Sequence, residues 1–81
     1  MYTVYIIESE STGRWYYGHT DDLADRLSRH NGNRSKATKG RGPWKVVATK
    51  AFPSKGEAMA FELMLKRCKR RDLALQRMQG A

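Results

Sequence analysis

Apolar positions in this chain change their period several times, and each change marks an element. YTVYIIES (2–9) carries β-branched and aromatic residues at both odd and even positions. Neither face of such a strand is polar, so it is expected at the centre of a sheet. SESTG (9–13) is turn chemistry, and RWYYG (14–18) predicts a second strand ending on glycine. Thr20, Asp21 and Asp22 suit a helix start, a capping hydroxyl followed by acids at the positive end of the dipole. Leu23 and Leu27 mark the buried stripe of that helix, which should run to His30 and stop at Asn31-Gly32 with a left-handed cap. Residues 32–43 form a glycine-rich, cationic loop, and WKVVATKAF (44–52) predicts a third strand. Ser54 and Glu57 have capping-box spacing, opening a helix to about Lys69 with Ala58, Phe61, Leu65 and Cys68 on its apolar face. Asp72 starts a short last helix ending near Gly80. Strand, strand, helix, strand, helix describes a small α/β (α+β) domain with a mainly antiparallel sheet.

Length and charge narrow the class. Eighty-one residues suggest one domain, spanning 1–81, and no internal repeat is visible. Lys and Arg number 16 against 8 Asp and Glu, a formal net charge of +8, which attracts polyanions and above all nucleic acid. No apolar run approaches a membrane span, and no signal peptide precedes the first strand. The single cysteine, Cys68, excludes an internal disulfide and fits a reducing, cytoplasmic setting. The expected partner is therefore DNA or RNA and not a membrane.

Candidate chemistry begins with the tyrosines. If Glu8 pairs with Gly13 across the hairpin, Tyr5 stands opposite Tyr16 on one face, while Trp15 and Tyr17 share the other with Tyr2, Val4 and Ile6. Cross-strand aromatic pairs commonly do no more than pack, and a phenol with an ordinary pKa near ~10 is a poor base unless a cation lies beside it. Arg26 and His30 provide that company. Four positions apart, they share a helix face at the edge of the leucine stripe, and Gly18 would let the chain turn that face back over Tyr16. Taken singly, Arg26 would pair with Asp22 and His30 would complement the helix C-terminus. Taken with the tyrosines they suit a phosphate, because arginine offers a planar fork and histidine or tyrosine can move a proton. Glu62 lies at the border of the second helix's apolar face. It can pair with Lys66 at i+4 or hold a hard divalent cation, which needs only one or two carboxylates beside a phosphate. Arg34, Lys36, Lys39 and Arg41 in the loop, with Lys66 and Lys69 after Glu62, are the candidate nucleic-acid contacts. His19, His30 and Cys68 lack zinc-ligand spacing.

These positions resemble the GIY-YIG nuclease family over about residues 2–70, in the form of its small stand-alone members. Thr3-Val4-Tyr5 stands where GIY is expected, and Tyr16-Tyr17-Gly18 stands for YIG. Arg26 lies eight residues beyond that glycine, His30 four further, and Glu62 precedes a Leu and, later, a Lys in the second helix. The resemblance implies a three-stranded antiparallel sheet flanked by helices, and a Mg²⁺- or Mn²⁺-dependent endonuclease hydrolysing DNA phosphodiesters in repair or recombination. Carried over, Glu62 would bind the metal, Arg26 would hold the scissile phosphate, and Tyr16 would activate water with Tyr5 and His30 in support. The order of preference among those three bases stays open. The chain departs from the pattern at Thr3 and Tyr17, carries His19 where some relatives have lysine, and has no asparagine from Arg70 to Ala81. Lacking a separate DNA-binding domain, small members are expected to recognise branched or damaged DNA, or to take target choice from a protein partner or a second copy. The competing class is an inert basic module that binds nucleic acid on the same scaffold. A ribosome-associated structural protein is a third reading, but it has no need for the tyrosine, arginine, histidine and glutamate set.

Overall fold

A computed structural model describes residues 1–32 and 42–79. The elements run β1 (Tyr2–Ser9), β2 (Trp15–Thr20), α1 (Leu23–Asn31), β3 (Trp44–Phe52), α2 (Lys55–Arg67) and α3 (Arg71–Gln79). The sheet is antiparallel throughout, in the order β2-β1-β3. The apolar run of β1 therefore does occupy the centre. Val4 and Ile6 face a cluster with Ala58 and Leu65 of α2 and Ala74 and Met78 of α3. Tyr5 and Ile7 face the opposite way, against Tyr16, Trp44 and the Leu23 and Leu27 stripe of α1. Among the described residues, two helices thus cover one face and one helix the other. Each fully buried Ile of β1 stabilises the fold by roughly 1.5–3 kcal/mol through removal from water.

Local chemistry explains most boundaries, and moves some of them. Asp22, not Thr20, caps α1: its carboxylate accepts the Asp25 N–H at 3.0 Å. Thr20 instead ends β2, its hydroxyl accepting the Asp22 N–H at 3.0 Å. Gly32 follows α1 with φ −85, an ordinary conformation and not the left-handed one expected. Ser54 caps α2 as its spacing predicts, with the Glu57 N–H at 3.3 Å, but the helix ends at Arg67. Among the described residues, the left-handed glycine lies in the hairpin, where Gly13 has φ +76.

The hairpin register differs from the one expected. Glu8 pairs with Trp15, Ile7 with Tyr16, and Tyr5 with Gly18. The slip is two residues, so every side chain keeps its face while Tyr5 and Tyr16 become diagonal neighbours. Gly18 is consequently mid-strand and does not turn the chain. It is small for another reason. A Cβ there would stand 2.5 Å from Tyr5 Cζ and would run into the hydroxyl, so the phenol can lie across β2 only over a glycine.

On the far side of the sheet β3 is tied to α1 by Asn31. Its side-chain oxygen accepts the Trp44 N–H at 2.6 Å and its amide donates to the Trp44 carbonyl at 3.3 Å. One amide thereby satisfies both polar groups of the first residue of β3. Among the described residues, no helix is long and apolar enough to cross a membrane.

Candidate active site

The buried half of the site sits between α1 and the sheet. The Tyr5 hydroxyl lies 3.0 Å from His30 Nε2, and the Tyr16 ring packs on the same imidazole with centroids 5.0 Å apart. Trp44 closes the cluster, its ring 6.4 Å from those of both Tyr16 and His30. His30 is 1% exposed, so it is a sealed core group and not the rim of an open cleft as its helical position suggests. The reason is Trp44, which reaches it from β3.

Burial sets the titration of this half. It drives the Tyr5 phenol well above its ordinary pKa, helped by the neighbouring Tyr16; the Arg26 guanidinium pulls it back and the Glu62 carboxylate adds to the rise. Burial, then Arg26, lowers His30 from its usual value of 6.5. At neutral pH the ring is therefore uncharged, hydrogen-bonded to the Tyr5 hydroxyl. Arg26 has no carboxylate partner among the described residues; the ion pair on α1 is Asp25–Arg29 at 3.1 Å instead of Asp22–Arg26.

The open half lies round the exposed edge of β2. His19 shares the strand face of Trp15 and Tyr17, which turns it toward α2. Its Nδ1 is 2.6 Å from Glu62 Oε1, and Lys66 Nζ is 2.8 Å from Glu62 Oε2. Burial raises the Glu62 pKa, but hydrogen bonds from Lys66 and His19 outweigh it, so the carboxyl titrates below its ordinary 4.5. The same bond raises Lys66. A cleft of about 290 Å³ opens here, lined by His19, Met59, Ala60, Glu62, Leu63 and Lys66. A second, of about 190 Å³, is lined by His19, Thr20, Arg26 and Lys55, among others. His19 belongs to both, joining the carboxylate side to the arginine side. The halves also share an electrostatic neighbourhood: Glu62 acts on Tyr5, and Tyr16 on Lys66.

Of the residues singled out by sequence, Tyr5, Tyr16 and His30 are in contact, Arg26 lies within their electrostatic reach, and Glu62 stands across the β2 edge. Lys66 is paired with Glu62 and its side chain is half exposed. Lys69 lies exposed between α2 and α3. Arg34, Lys36, Lys39 and Arg41 fall outside the described residues. Arg71 lies over the Trp15 ring at 4.7 Å and donates to the Gly13 carbonyl at 2.7 Å. His19, Asn31 and Trp44 were not among the candidate site residues. The strand parity of His19 was a usable signal, since it shares the face of Tyr17, but α2 had first to be placed on that face.

Divalent metal is testable against the donor set. Among the described residues no group of three or more His, Cys, Asp or Glu side chains converges. A part-buried carboxylate beside an imidazole and a cleft fits a hard cation that takes one or two protein ligands and completes its shell with water and phosphate.

Residues 1–77 match the model of the GIY-YIG catalytic domain. The protein belongs to the GIY-YIG family. Membership indicates an endonuclease acting on DNA at the level of the family, whose members generally depend on a divalent metal. A UPF0213 protein of Halalkalibacterium halodurans is 49% identical over 69 residues, which cover 84% of this chain and 72% of that one. The human structure-specific endonuclease subunit SLX1 is 40% identical over 67 residues, 76% of this chain but only 24% of SLX1. A solution NMR structure of a UPF0213 protein from Bacillus halodurans has a TM-score of 0.55 at 45% identity, covering 90% of this chain and 79% of that one. It has the same three-stranded antiparallel sheet with helices.

Proposed function

We propose that residues 1–81 act as a single GIY-YIG nuclease unit, a divalent-metal-dependent endonuclease hydrolysing DNA phosphodiester bonds in repair or recombination. The observation that carries the reading is the meeting, at one strand edge, of the Tyr5–His30–Tyr16 cluster with Arg26 on one side and Glu62 on the other.

Arg26, without a carboxylate partner among the described residues, binds the scissile phosphate and stabilises the charge that grows on its oxygens. Tyr16, less buried than Tyr5, takes the proton from the attacking water. Tyr5 is the weaker candidate base because burial opposes its phenolate. Its part is to hold Tyr16 and His30 in place, with His30 supporting the proton transfer. Glu62 holds the Mg²⁺ or Mn²⁺ ion, which when bound neutralises charge at the phosphate. Lys66 and Lys69, with Arg34, Lys36, Lys39 and Arg41, steer the polyanion through the net charge of +8.

SLX1 is named as a subunit of a structure-specific endonuclease. That supports branched DNA as the substrate here, with target choice supplied by a protein partner or a second copy. The test is cleavage of labelled linear, flap and four-way-junction DNA in Mg²⁺, Mn²⁺ and EDTA, wild type beside Glu62→Gln. Metal-dependent cutting that the variant loses, with DNA affinity equal or higher, is expected. Binding without cutting in any metal would leave an inert nucleic-acid-binding module.

A further inference from the structure

We propose that His19 is a second protein ligand of the metal ion and makes this site favour Mn²⁺ over Mg²⁺. The inference rests on the reading of Glu62 as a metal ligand. His19 Nδ1 and Glu62 Oε1 point at one another across 2.6 Å, each less than a quarter exposed, at the mouth of the cleft between β2 and α2. Two donors each ~2.1 Å from one ion and at right angles stand about 3.0 Å apart. An opening of a few tenths of an ångström, with both groups turned toward a common point in the cleft and the hydrogen-bonding proton released to solvent, therefore makes the pair cis ligands. Rotation of the flexible Lys66 stem frees Oε2 as well.

Neighbouring residues favour this conversion. His19 and Glu62 come from a strand and a helix packed on one another, so their spacing is set by the fold and not by two mobile side chains. The cleft offers room for the waters that complete the shell. An imidazole nitrogen is a softer donor than carboxylate or water, and nitrogen ligation favours transition metals over magnesium. A site built from Glu62 alone has no such preference.

The experiment is Mn²⁺ titration of the intact protein without DNA, followed by electron paramagnetic resonance and spin-echo modulation, on wild type, His19→Gln and Glu62→Gln. Circular dichroism checks that each variant is folded. Wild type is expected to show a directly coordinated ¹⁴N that His19→Gln lacks, with Mn²⁺ affinity falling on the order of tenfold and Mg²⁺ affinity, by competition, changing much less. Mn²⁺ bound through Glu62 with no coordinated ¹⁴N overturns the proposal and leaves the role of Glu62 standing. Mn²⁺ binding, or its absence, that is identical in wild type and Glu62→Gln overturns both.

Discussion

Gly18→Ala tests the packing on which the buried half of the site depends. The added Cβ would stand 2.5 Å from Tyr5 Cζ and 3.0 Å from Cε2, against the ~3.5–4.0 Å that carbon atoms prefer. Tyr5 is 2% exposed and has nowhere open to go. Overpacking of this kind costs about 1–3 kcal/mol, and displacing the hydroxyl from His30 adds about 1 kcal/mol. Alanine returns roughly 0.5–1 kcal/mol through its lower backbone entropy in a strand. The net is a destabilisation of about 2 kcal/mol, a fall of roughly 10 °C in Tm for a domain of this size. Urea unfolding of wild type, Gly18→Ala, Tyr5→Leu and the double variant measures it. Leucine lacks the distal ring atoms, so Gly18→Ala should be neutral or stabilising in the Tyr5→Leu background. If the two changes simply add, the phenol does not lie over Gly18 and the reasoning fails.

Other consequences can be measured separately. Tyr16→Phe should lower the cleavage rate by at least ~100-fold with little change in DNA affinity, as expected for loss of a general base; full activity moves the base elsewhere. Asn31→Ala leaves the Trp44 N–H without its partner at the start of β3 and should cost about 1–3 kcal/mol in urea unfolding. His30 has a folded pKa below its unfolded 6.5, so the unfolded chain binds the proton first and stability falls as pH drops from 6.5 toward the folded value. His30→Asn should flatten that slope between pH 8 and 5 even if it lowers stability overall, and an unchanged slope refutes the assignment. Glu62, depressed below 4.5, contributes stability above that value that is lost as pH falls through its folded pKa, so Glu62→Gln should remove part of the steeper loss at lower pH.

How much was legible varies residue by residue. Ser54 before Glu57, the doubly apolar β1 and the Leu23–Leu27 stripe were readable because caps and periodicities are set by residues a few positions apart. The tyrosines, Arg26, His30 and Glu62 were legible as residue types in order along the chain, and they support the family assignment. The hairpin register was not, since a slip of two preserves the alternation on which it was judged. Gly18 illustrates the cost of that slip. In sequence it reads as a strand end, and only the pairing with Tyr5 gives its small size a different cause.

The sequence by itself determined the element order, the central place of β1, the basic charge and the set of groups able to do phosphate chemistry. Tertiary structure decided what those groups touch. It buried His30 under Trp44, which reaches α1 from β3, and so lowered the pKa of the imidazole. It also brought His19 to Glu62 from 43 positions away. Both outcomes depend on how helices settle on a twisted sheet, a global packing problem in which no local pattern records the distance between two side chains.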